Sequence, residues 1–374
     1  MMKKVRVLHV MGGLWCGGTE SYVMNMFRSI DREKVQFEFL IHERAKAHYD
    51  DEVLSLGGRI YRIPDRTEIG TIRYLWHLIW TLKQIRPDII HAHAMFNAGV
   101  VMLAAFLVGI RKRVCHSHST DDQAEFVGLS RKLFQFIMRL CVQLFSTDYA
   151  ACSETAAQFL FGSKRVEAGE VRVINNGINL SKFLEVETQK VDIIRRELQI
   201  SENRYVIGLV SRLVEVKNPL FFIGLLEKLC EVHKDIMVVV VGEGPLKPVI
   251  EEEVSKRNLG EHVRLTGNRD DVHLMMSIFD IFMLPSFFEG LGIVAIEAQA
   301  RGVPCLLSEK VPLRTDLGLG LVQFLPLDDE QRWIDAIEAK PSKLNDIHQI
   351  KKIFHQKGYD SLSSSNQLLK VYGI

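Results

Sequence analysis

The sequence predicts an α/β protein made of two Rossmann-like, doubly wound domains facing each other across a crevice, and three observations carry that prediction. Short apolar strands alternate with helical stretches along the chain, the pattern that winds a parallel sheet. The alternation restarts at residues 205–210 with a second opening strand. Between the two series lies Asn175-Asn176-Gly177-Ile178-Asn179, rich in turn formers and followed by a polar stretch to about Gln189. This sets a first domain over residues 1–178, a second over 179–354, and a hinge near residue 178.

In order, the first domain reads as strand 5–10, helix 19–29, strand 36–41, a long helix over 69–85 and strand 89–93. A further helix leads to strand 113–118, and helix 129–145 is followed by strands 149–152 and 171–174. In the second domain, strands 205–210, 237–241, 263–266, 281–284 and 303–307 are again separated by helices. In such sheets ligands lie beyond the carboxyl ends of the strands, so residues at strand ends are the candidates for function.

The 374 residues are 47% apolar and 25% charged, which suits a soluble globular protein of roughly two domains. Residues 1–6 run straight into a strand without a cleavage site, so no signal peptide is expected. The longest uncharged apolar run, 98–110, falls short of the ~20 residues a spanning helix needs. Six scattered cysteines without a Cys-x-x-Cys pair favour free thiols and a cytoplasmic location. The net charge of +1 divides into +5 over residues 1–178 and −4 over 179–374. Neither half is basic enough for nucleic acid. The mildly basic first half is compatible with an anionic membrane surface or acceptor.

Residues 284–308 are the most informative stretch. An apolar strand runs into a loop bearing Glu289, Gly290, Leu291 and Gly292, then into a helix from Ile293 that carries Glu297 eight residues after Glu289. A bare helix mouth offers N–H groups and a positive dipole end to a phosphate, and two carboxylates beside it suit hydroxyls. Arg212 and Lys217 flank the strand-to-helix turn after 205–210, where fixed cations would suit a phosphate. Gly242 and Gly244, and Asn268 and Arg269, occupy the loops after the next two strands. In the first domain Gly17 and Gly18 open a helix after strand one, in a loop that does not meet Gly-x-Gly-x-x-Gly.

His91-Ala-His93 and His116-Ser-His118 each end a strand, and alternation puts both members of a pair on one face. Zinc is one reading of such pairs, but neither extends to a fuller ligand motif, so no metal is assigned. Histidines satisfied by backbone carbonyls are the plainer reading for His91, His93 and His116. The stretch 131–140 is basic and amphipathic, and Trp76 and Trp80 share a helical face. Either could face the core or lie at a membrane surface.

Residues 284–308 closely resemble the Glu-x7-Glu signature of the retaining glycosyltransferases of family 4, which have the GT-B fold. The likeness extends through Glu297-Ala298-Gln299-Ala300-x-Gly302-x-Pro304, and Arg212 with Lys217-Asn218 resembles the family's diphosphate grip. Asn175-Asn176-Gly177-Ile178-Asn179 and Ala151-Cys152-Ser153-Glu154 resemble members encoded in capsule and exopolysaccharide clusters. The resemblance implies transfer of a sugar from a nucleoside-diphosphate donor, with uridine diphosphate preferred by family frequency, to a glycan or lipid-linked saccharide. The donor is a co-substrate, and no cofactor is implied; Asp-x-Asp, which holds a divalent cation in the other major fold, is absent.

The resemblance assigns catalytic roles to His118, Glu289, Arg212 and Lys217, with His116 the second choice after His118. It places Gly17 and Gly18 at the diphosphate and acceptor entrance and Glu297 on the ribose. Gly290, Leu291, Gly292 and Ile293 form the phosphate seat, and Gly242, Gly244, Asn268 and Arg269 surround the nucleobase. The first domain would be the acceptor side, completed by a crossover helix at about 355–374. The second would bind the nucleotide sugar. A peripheral contact with the inner face of the plasma membrane is the remaining partner expectation. Many relatives carry Gly-Gly-x-Pro-Glu where residues 309–316 here read Glu-Lys-Val-Pro-Leu-Arg-Thr-Asp. A sugar-nucleotide 2-epimerase of the same fold and a catalytically silent nucleotide-sugar-binding protein are the rival readings.

Overall fold

The computed structural model describes residues 4–15, 17–118 and 128–374. Residues 1–3 of the start at Met1 to Arg6, where no signal peptide is expected, and the thiol of Cys16 lie outside the described residues. The chain divides into two compact units, Met1–Ile178 with Gly358–Ile374, and Asn179–Lys357.

The first unit is a seven-stranded parallel sheet: β1 (Val5–Met11), β2 (Val35–Ile41), β3 (Arg59–Arg62), β4 (Ile89–Ala92), β5 (Lys112–Ser117), β6 (Asp148–Ala151) and β7 (Val171–Val173). Its order is β3-β2-β1-β4-β5-β6-β7. The chain leaves β1 outward through β2 and β3, then returns to β4 on the other side of β1. The loops beyond β1 and β4 therefore part at a topological switch point, the usual place for a ligand.

β3 escaped the sequence reading because Arg-Ile-Tyr-Arg is a four-residue edge strand without apolar alternation. The long helix expected over 69–85 is interrupted at Gly70, whose φ of 79° is left-handed, leaving the turn Arg66–Ile69 and the helix Thr71–Ile85. The helix Ser361–Tyr372 is capped by Asp360, which accepts from Ser363 N at 2.8 Å. It belongs to the first unit. Leu368, Val371 and Tyr372 are buried in one cluster with Tyr22, Val23 and Phe27 of the helix Gly18–Ser29.

The second unit is a six-stranded parallel sheet: β8 (Tyr205–Val210), β9 (Ile236–Val241), β10 (Val263–Gly267), β11 (Ile281–Leu284), β12 (Cys305–Ser308) and β13 (Val322–Leu325). Its order, β10-β9-β8-β11-β12-β13, again switches direction beside its first strand, between β8 and β11. Every residue of β9, Ile-Met-Val-Val-Val-Val, is buried, as a parallel strand covered on both faces requires. β13, another four-residue edge strand, was also missed.

Candidate active site

At the β8/β11 switch point the second unit gathers its unusual side chains. The turn Glu215–Lys217 follows β8 and is tied to the loop after β11 by Phe287 N donating to Val216 O at 2.9 Å. This link brings Lys217 Nζ to 2.7 Å from Glu289 Oε2, with both side chains largely buried at 20% and 8% exposure. Ser286 Oγ donates to the other oxygen, Glu289 Oε1, at 2.7 Å, and Ser308 Oγ at the end of β12 fixes the carbonyl of Ser286. Glu289 is thus held at both oxygens.

Glu297 sits one helical turn into Ile293–Ala300 and has no side-chain partner among the described residues. Its side chain is half-buried, and desolvation by the surrounding protein pushes its pKa up to about 7. One acid is locked by a cation and a hydroxyl; the other is left without a partner among the described residues. Arg212 is exposed and unpaired among the described residues.

The helix mouth itself is braced from an unforeseen direction. Gly292 takes the N-cap position at φ 70°, ψ 49°, and no side chain caps the helix. Arg314 Nη2 donates to Gly290 O at 2.7 Å, and Thr315 Oγ1 donates to Leu291 O. Buried Gln299 fastens this brace, donating to Thr315 O at 2.7 Å and accepting from Leu317 N at 3.0 Å. Arg314 and Thr315 lie in the segment where the family's glycine pair is missing; the departure in sequence was their only signal. A Cβ on Gly290 would meet nothing within 4 Å, so its open side is space and not packing.

The glycine loop after β9 has a different reason for its composition. A Cβ on Gly242, at φ 136°, would fall 1.9 Å from Ser211 O, and one on Gly244 would fall 2.4 Å from Leu213 O. Backbone bonds from Gly242 N to Gly267 O (2.9 Å) and Leu213 N to Glu243 O (2.9 Å) stitch the loops after β8, β9 and β10 together. Asn268 is exposed at the end of this row. Arg269 points into a local network, donating to Asp271 at 2.7 and 2.8 Å and to Glu197 at 2.6 Å. Those acids raise its pKa and hold the guanidinium in place beside the loop.

In the first unit, β1, β4 and β5 bring five histidines onto one face. His91 and His116 are not satisfied by backbone carbonyls, as the sequence reading had it, and neither is His93. They bond ring to ring. One file runs from Tyr372 Oη to His91 Nδ1 (2.8 Å) and from His91 Nε2 to His116 Nδ1 (3.1 Å). The other runs from His9 Nδ1 to His93 Nε2 (2.9 Å) and from His93 Nδ1 to His118 Nε2 (2.8 Å). Burial pushes all five below the usual imidazole range, His9 and His118 to about 3, with neighbouring imidazoles adding to the effect on all but His118. His9 was missed; its signal was a single polar side chain in an otherwise apolar run from Val7 to Met11.

Gly17 N-caps the helix Gly18–Ser29 without a side-chain bond, and Gly17 and Gly18 end the loop leading from β1. A Cβ on Gly17 would meet Glu20 Oε2 at 2.2 Å, while Gly18 has open space.

Two family descriptions match the chain: Glycosyltransferase Family 4 over residues 16–182, and Glycosyl transferases group 1 over residues 190–317. The putative glycosyltransferase EpsF of Bacillus subtilis is 37% identical over 99% of this chain and 96% of its own length. An Escherichia coli UDP-Gal:alpha-D-GlcNAc-diphosphoundecaprenol alpha-1,3-galactosyltransferase is 26% identical over 82% of this chain and 79% of its own. Among solved structures, Anabaena HepE in complex with UDP superposes with a TM-score of 0.77 at 17% identity, covering 99% of this chain and 100% of that one. The lipopolysaccharide glycosyltransferase WaaG superposes with a TM-score of 0.72 at 15% identity, covering 98% and 99%. The paired parallel sheets, the acids and cations at the second switch point and the near full-length likeness to EpsF agree: the chain belongs to the family 4 glycosyltransferases, with the GT-B fold.

Proposed function

We propose that this glycosyltransferase is retaining and metal-independent, and that it moves a hexosyl or N-acetylhexosaminyl group from a UDP-sugar to a glycan or lipid-linked saccharide in capsular, exo- or lipopolysaccharide synthesis. The observation that carries the reading is the Lys217–Glu289 pair beside the open helix mouth at Gly290–Ile293, with Glu297 unpaired in that helix. Arg212 and Lys217 hold the diphosphate, and the helix mouth takes phosphate oxygens. Glu297 accepts from ribose hydroxyls and Glu289 contacts the sugar ring. As the glycosidic C–O bond stretches, the leaving phosphate oxygen takes the proton of the attacking acceptor hydroxyl on the same face, so configuration is retained without an enzyme nucleophile. Arg212 and Lys217 stabilise the charge that develops there. His118 faces the transferred sugar. The loops at Gly242 and Gly244 and at Asn268 and Arg269 surround the base through backbone groups, and Gly17 and Gly18 border the acceptor entrance.

The acceptor side is assigned to the first unit, and a second observation supports a lipid-linked acceptor. The neighbouring helices Thr71–Ile85, Ala98–Val108 and Leu129–Phe145 contain no Asp or Glu. They expose Trp76, Trp80, Phe106, Leu133, Phe136 and Leu144, each at least half accessible, beside exposed Arg73, Lys83 and Lys132. Such a face suits the surface of an anionic bilayer. No described helix is long and apolar enough to cross one.

The test is thermal stabilisation by UDP-glucose, UDP-galactose and UDP-N-acetylglucosamine against GDP- and ADP-sugars, followed by NMR of the product linkage in chelator-treated buffer. Stabilisation by UDP-sugars and an α product from an α donor are expected. Preference for another nucleotide, an inverted product or loss of transfer on chelation would refute the corresponding part.

A further inference from the structure

The file His9–His93–His118 has a direction. A neutral imidazole holds one N–H and one lone pair, so each ring that donates through one nitrogen must accept through the other. Both links join an Nδ1 to an Nε2, at 2.9 and 2.8 Å, so the three tautomers are set together. Either His9 Nδ1–H donates to His93 and His93 Nδ1–H donates to His118, or every proton sits on the opposite nitrogen. The free ends are His9 Nε2 and His118 Nδ1, both buried and without a hydrogen-bond partner among the described residues.

The two ends differ. The His9 ring lies against Phe37 and Phe39, with centroids 4.2 and 5.7 Å away, deep in the core where no acceptor is available. An orphaned buried N–H is rarer than an under-used acceptor. His118 lies just beyond the carboxyl end of β5, on the sheet edge where ligands bind. The lone pair therefore belongs at His9 Nε2 and the proton at His118 Nδ1.

We infer that His9 and His93 are positioning residues that hold His118 as the Nδ1–H tautomer, making it a hydrogen-bond donor to an oxygen of the sugar or its phosphate and not a proton acceptor. The inference rests on the reading of His118 as the residue that faces the transferred sugar. It agrees with a mechanism in which the leaving phosphate, not the protein, takes the acceptor proton. The depressed imidazole pKa values are consistent with a file that stays neutral. Two histidine triads here, His9-His91-His93 and His93-His116-His118, are close enough to be weighed as metal ligands. However, nitrogens sharing a tetrahedral zinc at 2.0–2.1 Å lie about 3.3 Å apart, and the links in this file are shorter, at 2.8–2.9 Å.

Nitrogen-15 NMR of the full chain labelled at histidine, with the His118 signals assigned by His118→Gln, reads the tautomer directly. Protonated Nδ1 and bare Nε2 at His118 are expected. His9→Leu should mix the tautomers and lower kcat about 10-fold with the KM for UDP-sugar unchanged. His9→Asn, which keeps a donor near the Nδ1 position, should restore both. A protonated Nε2 at His118 in the wild type overturns the inference, as does stoichiometric zinc held by these rings. Equal loss of kcat in His9→Leu and His9→Asn without a tautomer change reduces His9 to a packing role and also overturns it. If His118→Gln transfers sugar at the wild-type rate, the substrate-facing reading of His118 fails, whatever the spectrum shows.

Discussion

Lys217 Nζ and Glu289 Oε2 meet at 2.7 Å although they lie on different loops of the second sheet, one after β8 and one after β11. On the proposed reading, a diphosphate at the helix mouth would compete with Glu289 for this ammonium, and the ion pair would keep the cation placed until then. Lys217→Met should lower kcat by about 10²–10³-fold. It also strands a mostly buried carboxylate, costing about 1–3 kcal/mol after discounting the partial exposure of Lys217. Lys217→Met with Glu289→Gln should recover most of that stability and none of the activity. Urea unfolding and initial rates on the three variants check this, and additive stability losses would contradict it.

The raised pKa of Glu297 should make the second unit less stable as pH rises. Its folded pKa of about 7 stands above the ordinary value of about 4.3, so the folded state binds the extra proton between those limits. The stabilising neutral form is fully present below about pH 4 and is lost as pH climbs through 7. Glu297→Gln should match the wild type near pH 4 and exceed it at pH 8 by about 1 kcal/mol, or about 2–4 °C in Tm. If the proposed ribose contact holds, the same variant should also bind UDP more weakly at pH 8. Melting curves at pH 4, 6 and 8 decide the first point; an advantage confined to low pH would reverse the sign.

Two glycines near the site should respond oppositely to alanine. Gly242→Ala drives a Cβ onto Ser211 O at a backbone angle that side chains avoid, so a loss of about 2–4 kcal/mol is expected. Gly290→Ala meets open space, so folding should change by less than about 0.5 kcal/mol while UDP binding weakens. Calorimetric melting with and without UDP separates them. Equal Tm losses would show that the space beside Gly290 is not a ligand seat.

Trp76 and Trp80 stand one helical turn apart on the outer side of Thr71–Ile85, at 68% and 64% exposure. Replacing both with Glu should reduce co-sedimentation with phosphatidylglycerol vesicles at least about 10-fold, and should leave Tm and transfer to a water-soluble acceptor near the wild-type values. Vesicle binding that survives the double substitution would move the contact elsewhere.

Much of this was legible in the sequence. β9 and β11 announced themselves as unbroken apolar runs, and Glu289, Glu297, Arg212 and Lys217 by their spacing around glycines. Two things were hidden for physical reasons. In edge strands β3 and β13 exposed polar residues break up the apolar ones, so no apolar run marked them. The partners that hold a functional side chain come from remote chain positions: Arg314 reaches Gly290 across 24 residues and His9 reaches His93 across 84. No local pattern encodes such pairs. The basic amphipathic stretch over 131–140 could face inward or outward by periodicity alone. Only packing shows Leu133 and Phe136 outside and Met138 inside.

The bond from Tyr372 to His91 joins residues 281 positions apart, and it ties the order of synthesis to the order of folding. The sheet that begins at Val5 lacks its closing helix until Gly358–Ile374 emerges, after the 179 residues of the other unit. At about 5–20 residues per second the ribosome needs roughly 10–35 s for that interval. During that time the nascent first unit exposes the flank of Tyr22 and Phe27 that the tail later covers. The second unit, contiguous in sequence, is under no such delay. It is therefore the one expected to reach its native form first, although its synthesis starts only after residue 178.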